Sequence, residues 1–374
     1  MATLPSKEDT IGRWSGSQTE PENRLRRGGT ARRLSAISRK EFVQLWRDRR
    51  TLLLMIGMPL VLLLIFGYGI RLSVHGISAE LVGRESSAVR AALDQQNQFD
   101  VRTAVAPSEA AARADLLHGR TSVAVVIGPA GLPTSVLIDG SNAFVAQNSL
   151  EYLRSVGATP GAHPVHVVVL FNPTLRSANF MVPAEVGMIM LWVGTVATAI
   201  GVVREREQGT LEQLMMTPIR KLELMVGKIL PYSVLTLLDA VLITALGVIL
   251  FHVTIRGNPL ELLLFAVPYL VAALSIGLLI STVAQNQRQA MQTAAFLLLP
   301  QILLSGALFP LAAIPWGIRW VSQLFPLTYF TPITRGVFLK GLGIGDLWPQ
   351  VAVLSGMAVF FTVLAAITFR SRLD

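Results

Sequence analysis

The chain has 374 residues, of which 52% are hydrophobic and only 15% charged, against about 25% charged residues in ordinary soluble proteins. That composition excludes a soluble globular enzyme, and the charged, Pro/Gly-punctuated stretch 71–179 excludes a chain made of membrane spans alone. Lys and Arg number 32 against 23 Asp and Glu, a net charge of +9, and the lack of cysteine removes disulfides, thiolate metal sites and a cysteine nucleophile.

In chain order, residues 1–38 form a basic cytoplasmic extension, expected to be flexible. Residues 39–50 read as an amphipathic helix along the membrane surface, with Phe42, Leu45 and Trp46 on one face and Lys40, Glu41, Arg47 and Asp48 on others. Its charge would serve anionic lipid or nucleic acid; its place beside a span favours lipid, so membrane lipid is expected as a partner and nucleic acid is not. Residues 51–70 carry no charge, and about 20 residues cross roughly 30 Å of hydrocarbon. They form the first span, a retained anchor.

Residues 71–179 have the size of a compact domain. Ser108 as N-cap and Gly119 just past the end bracket a helix. Segments 121–127 and 134–138 read as buried strands, the second closing at the Asp139-Gly140 turn signal, and a helix at 143–156 and a strand at 166–171 complete a small α/β unit. His163 and His166 lack an evident third ligand, so no metal site is expected. No nucleophile–base pair stands out either, which favours docking or gating over catalysis.

Further apolar runs at 181–203, 229–251, 260–283, 290–312 and 347–369 bring the expected total to six spans, five of them in a membrane domain 180–374. An even number puts both termini on one side. Twelve Lys/Arg lie before the first span and five between Arg204 and Lys228, whereas the short loops of the other side hold only Arg256, Arg319, Arg335 and Lys340. Both termini are therefore expected in the cytoplasm, with 71–179 outside it. Residues 314–330, interrupted by Pro, Arg and aromatics, read as a short re-entrant or surface helical pair.

Two acids fall inside spans. Asp239 lies near the middle of the third, where an ionised, lipid-facing carboxylate costs roughly 2.5–3.5 kcal/mol. It belongs either to a translocation path or to a structural role, with a hydroxyl partner such as Ser233 or Thr236 or a protonated side chain. Glu185, nearer the end of the second span, is a weaker candidate for the same path.

The most informative stretch is Arg204-Glu205-Arg206-Glu207-Gln208-Gly209-Thr210-Leu211-Glu212-Gln213-Leu214, followed by Thr217-Pro218. Gly209 can break the emerging helix, and Thr210 with Gln213 forms a capping box that starts another. Thr217-Pro218 ends it, leaving about two turns near 210–217 that are too short to be stable alone. Its stripe of Leu211, Leu214 and Met215 docks either on a cytoplasmic partner or on lipid and the protein itself.

These residues resemble the coupling region of the permease subunits of ABC-2-type exporters, in the branch with a large domain between the first two spans. Further matches are Arg39-Lys40-Glu41-Phe42, Arg47-Asp48, Pro59, Phe66-Gly67-Tyr68, Asp139-Gly140-Ser141, Phe171-Asn172-Pro173, Met181-Val182-Pro183, Ser305-Gly306 and Pro310. The extension before Arg39 lies outside the match, and Ala184-Glu185 replaces a more usual small, apolar pair.

The resemblance implies a polytopic α-helical membrane protein of a bacterial inner membrane: six spans with an inserted small α/β extracytoplasmic domain. It implies that Arg204, Glu205, Arg206, Glu207, Gly209, Thr210, Leu211, Glu212, Leu214, Thr217 and Pro218 couple to a separate ABC ATPase subunit, which binds the ATP and Mg. This chain binds no cofactor or metal and has no G-x-x-x-x-G-K-[ST] phosphate loop. A second permease copy or a related permease completes the path, and a periplasmic adaptor is a candidate third partner. The implied function is export of a hydrophobic or amphipathic molecule such as a drug or lipid. The alternative is a non-transporting transmitter that relays ATPase motion to an extracytoplasmic partner.

Overall fold

The computed structural model describes residues 30–47, 76–83, 86–94, 99–102, 105–129, 131, 133–157, 165–209, 221–311, 314 and 316–371. Asp48, the expected first span 51–70 and the expected coupling helix 210–217 with Pro218 lie outside the described residues.

Helix α1 (Thr30–Arg47) begins well before the expected residue 39. Gly28-Gly29 precede it and no Gly or Pro interrupts it, so nothing in 30–38 opposes helix. It leans on the first turns of α6 (Lys221–Phe251), where Ser38 Oγ donates to the Gly227 carbonyl at 3.3 Å. Phe42 and Trp46 point away from the protein and Glu41 points in.

A five-stranded sheet follows, built from β1 (Ile77–Val82), β2 (Phe99–Val101), β3 (Val123–Ile127), β4 (Pro133–Asp139) and β5 (His166–Leu170). Its order is β2-β1-β3-β4-β5, parallel except for the β3–β4 pair. β1 and β3 are buried almost throughout, as strands covered on both faces must be. α2 (Ser87–Asp94) and α4 (Ala143–Gly157) contribute Leu93, Phe144 and Tyr152 to the core on one face, which also takes Phe180 and Met181. α3 (Glu109–Leu117) covers the other with Ala112 and Leu116. Ser108 Oγ caps α3 by accepting from Ala111 N at 3.2 Å, and Gly119 takes φ +70° beyond its end, at the two positions read from the sequence.

The helical part contains α5 (Ser177–Glu207), α6, α7 (Pro259–Val283), α8 (Gln287–Leu304) and α11 (Ile344–Ser371). Among the described residues, four helices are long and apolar enough to cross a membrane: Ser177–Glu207, Ile229–Phe251, Pro259–Val283 and Ile344–Thr368. The run expected to span 290–312 is helical only to Leu304. Its first turn, Gln287-Arg288-Gln289, is polar, and the chain turns at Ser305 and at Gly306, which takes φ +84°.

α5 is the central helix, buried along nearly its whole length between α6, α7, α8 and α10 (Pro326–Arg335). At Gly277 of α7 a Cβ would lie 2.5 Å from the Thr195 carbonyl oxygen of α5, so the two backbones approach as only glycine permits. α9 (Trp316–Ser322) and α10 are the two short helices after α8, and α10 runs into a π turn, Gly336–Lys340.

Candidate functional site

The last turn of α5 carries Arg204 and Arg206, cations at the helix end whose dipole favours them. Gly209 at φ +68° stops the helix, its N–H donating to the Arg206 carbonyl at 3.1 Å. The side chains of this turn then reach three different helices. Glu205, 2% exposed, accepts from Lys40 Nζ of α1 at 2.9 Å, and Lys40 also lies 3.9 Å from the carboxylate of Glu41.

Arg206 donates to the Ser281 carbonyl at 3.2 Å and to that of Ala284, among the terminal carbonyls of α7 that need outside donors. Glu207 accepts from Gln287 N at 3.0 Å and from its side-chain amide, at the start of α8. Asn286 caps that same helix through Gln289 N at 2.8 Å. Three consecutive side chains thus tie the end of α5 to α1, α7 and α8. Of the other expected coupling residues, Thr210, Leu211, Glu212, Leu214, Thr217 and Pro218 fall outside the described residues.

In the bundle interior, Glu185 is 1% exposed and neither carboxyl oxygen has a hydrogen-bond partner among the described residues; Asp239, 2% exposed, has none for Oδ2. The hydroxyl partners expected for Asp239 are engaged elsewhere. Ser233 donates to the Ile229 carbonyl at 3.0 Å and Thr236 to the Tyr232 carbonyl at 2.8 Å, each one turn back on its own helix.

Beside α5 runs an apolar cleft of about 520 Å³ whose walls include Met190, Leu237, Val241, Val248, Leu263 and Phe330, with Thr244 as a hydroxyl-bearing lining residue. Phe330 stacks on Tyr269 with ring centroids 4.1 Å apart, and Tyr269 Oη donates to the Gly187 carbonyl at 2.8 Å. That stack fixes α10 against α5 and α7.

At the bundle end bearing the sheet, sequence reasoning missed two residues, which it counted only as loop charges. Lys340 Nζ lies 2.8 Å from Asp139 Oδ2 and donates to the Leu116 carbonyl at 2.7 Å. Arg335 donates to the carbonyls of Gly306 (3.1 Å) and Ala307 (2.7 Å), and its guanidinium stands 3.8 Å over the Phe180 ring.

The profile of the family described as "ABC-2 family transporter protein" matches residues 49–367. The chain is similar to the probable multidrug ABC transporter permease YbhS of Escherichia coli K12, 32% identical over 373 residues, covering 92% of this chain and 98% of that protein. YbhR of the same strain, also described as a probable multidrug ABC transporter permease, is 28% identical over 236 residues, 59% of this chain and 64% of its own length. The probable doxorubicin resistance permease DrrC of Mycobacterium tuberculosis is 24% identical over 272 residues, 67% of this chain and 97% of its own. A match over most of the length, with a bundle of long apolar helices, makes this chain a permease of the ABC-2 transporter family.

Proposed function

We propose that this permease is the membrane subunit of an ATP-driven exporter that moves a hydrophobic or amphipathic molecule out of the cytoplasm or inner leaflet. Hydrolysis of ATP with Mg belongs to a separate ABC ATPase, and a second copy or a related permease completes the path. The chain sits in the bacterial inner membrane with both termini in the cytoplasm. It has six spans once 51–70 and the α8 segment are counted, and the sheet unit lies outside the cytoplasm.

The observation that carries this reading is the end of α5. Arg206, Glu207 and Glu205 bind it to α7, α8 and α1 just before the segment 210–217. An ATPase that pushes on this segment loads four helices together, and such a push does work only if the contact differs between two states. The apolar cleft supports a hydrophobic cargo.

The test is to copurify the candidate ATPase with variants Glu212→Lys and Leu214→Asp and to measure ATP hydrolysis. Loss of assembly, or a fall in permease-dependent hydrolysis of tenfold or more, is expected. Full assembly and hydrolysis in both variants would overturn the docking reading.

A further inference from the structure

The sheet unit and the π turn that follows α10 meet around one cation. Lys340 ends the π turn that follows α10, and its side chain is 8% exposed against 10% for its partner Asp139. It is held from three directions: the Asp139 carboxylate at the end of β4, the Leu116 carbonyl at the end of α3, and the Phe171 ring, whose centroid is 5.0 Å away. All three partners belong to the sheet unit or its exit. Asp139 is itself fixed, since its Oδ1 accepts from Ser141 N at 2.8 Å.

The surroundings are equally constrained. Phe171 and Leu175, between β5 and α5, both sit at positive φ (66° and 47°), a conformation non-glycine residues hold only when neighbours enforce it. Asn172 clamps this link by donating to the Arg176 carbonyl at 3.1 Å and accepting from Asn179 at 2.9 Å. Phe180, under the Arg335 guanidinium, packs edge-on against Phe144 of the sheet unit with centroids 5.2 Å apart. The π turn is also pinned from the α6–α7 loop, where Arg256 N and Gly257 N each donate at 2.9 Å to the carbonyls of Phe338 and Val337.

We propose that the sheet unit and α10 with its π turn form one rigid body keyed by Lys340, so that a load on the sheet unit passes directly to α10, whose Phe330 lines the apolar cleft. Lys340 is a positioning residue: it acts on the cleft only through α10, which its π turn continues. In a membrane, this makes the sheet unit the handle by which an extracytoplasmic partner would steer opening. The transport cycle invoked in the test rests on the function proposed above; the rigidity itself does not.

The chain lacks cysteine, so two introduced cysteines can be labelled cleanly. Spin labels at Arg113→Cys on α3 and Leu324→Cys between α9 and α10, both exposed positions, report the distance between the two parts by pulsed electron resonance. The labelled chain is diluted with unlabelled chain, so only intrachain distances register. In the nucleotide-free permease a single narrow distribution is expected, and Lys340→Met should at least double its width. Asp139→Asn, which keeps the acceptor to Ser141, should broaden it as well and serves if Lys340→Met does not fold.

With the ATPase added, the narrow distribution should stay within about 2 Å between nucleotide-free and vanadate-trapped states, the scale of motion within a preorganised body. A narrow distribution in the variants, or a larger shift on trapping, overturns the rigid-body proposal. Absence of any ATPase complex would count against the transport reading alone, because the nucleotide-free comparison stands without it.

Discussion

Lys40 Nζ lies 2.9 Å from Glu205 Oε1, joining the helix ahead of the expected first span to the last turn of α5 across 165 residues of sequence. The lysine is half-exposed and the carboxylate is buried, so the pair is asymmetric. Removing the cation strips a desolvated anion of a positive partner at hydrogen-bond distance, whereas removing the anion leaves an ammonium that water can serve.

Lys40→Ala should therefore cost about 1–3 kcal/mol, the range for a buried group left short of a partner. It should lower the Tm of the purified permease by several degrees, and Lys40→Arg should recover most of the loss. Thermal unfolding followed by tryptophan fluorescence reads this, and an unchanged Tm in Lys40→Ala would refute it.

Gly277→Ala addresses a close approach of α7 to α5. The added methyl would meet a backbone oxygen at 2.5 Å and Thr198 Cβ at 2.9 Å, neither at the end of a flexible side chain. The helices must move apart, at a cost of about 1–3 kcal/mol for overpacking. Lower yield and a lower Tm are expected, while Gly356→Ala, with open space around it, should leave both unchanged.

What could be read from the sequence was what local pattern decides. Ser108 and Gly119 bracket a helix through their own turn chemistry, and the runs in β3 and β4 announce buried strands. β1 escaped because Ser78 and Glu80 interrupt its apolar pattern, and β2 because three residues carry no period. Gly209 was legible as a helix stop, but its neighbour Glu205 finds Lys40 only in three dimensions. The same holds for Lys340 and Asp139, 201 residues apart. Which way the hydroxyls near Asp239 turn is likewise set in three dimensions: Ser233 and Thr236 each donate to the carbonyl one turn back on their own helix.

Glu80 supplies a pH dependence. Burial, then the neighbouring Asp115 carboxylate, raise its carboxyl from 4.5 to about 7, although Arg102 at 3.8 Å opposes them. Between those values the folded chain keeps a proton that the unfolded chain has released. The resulting stabilisation is complete below about 4.5 and is lost as pH rises through about 7. Glu80→Gln keeps the shape and removes the titration, so its Tm relative to the parent should climb between about pH 5 and pH 8. A difference that stays flat across that range would contradict the assignment.

Asp239→Asn tests the interior of the third expected span. The shape is kept and the charge removed, so yield and Tm should hold. On the export reading proposed above, efflux of a cationic dye from cells carrying the permease with its ATPase should fall severalfold more than efflux of a neutral lipophilic dye. Equal changes for the two dyes would make the carboxyl a structural group only.

The cleft beside α5 has a consequence for how ligands of this permease must be compared. Val241, Val248 and Leu263 line it and are also exposed on the flank of the bundle, so on the export reading proposed above it would sample molecules already dissolved in hydrocarbon. A compound enriched ~10³-fold in the bilayer gains about 4 kcal/mol of apparent affinity before touching a single wall residue. Potencies expressed per litre of buffer would then rank compounds first by lipophilicity. Only concentrations expressed per volume of membrane would reveal what the walls themselves select.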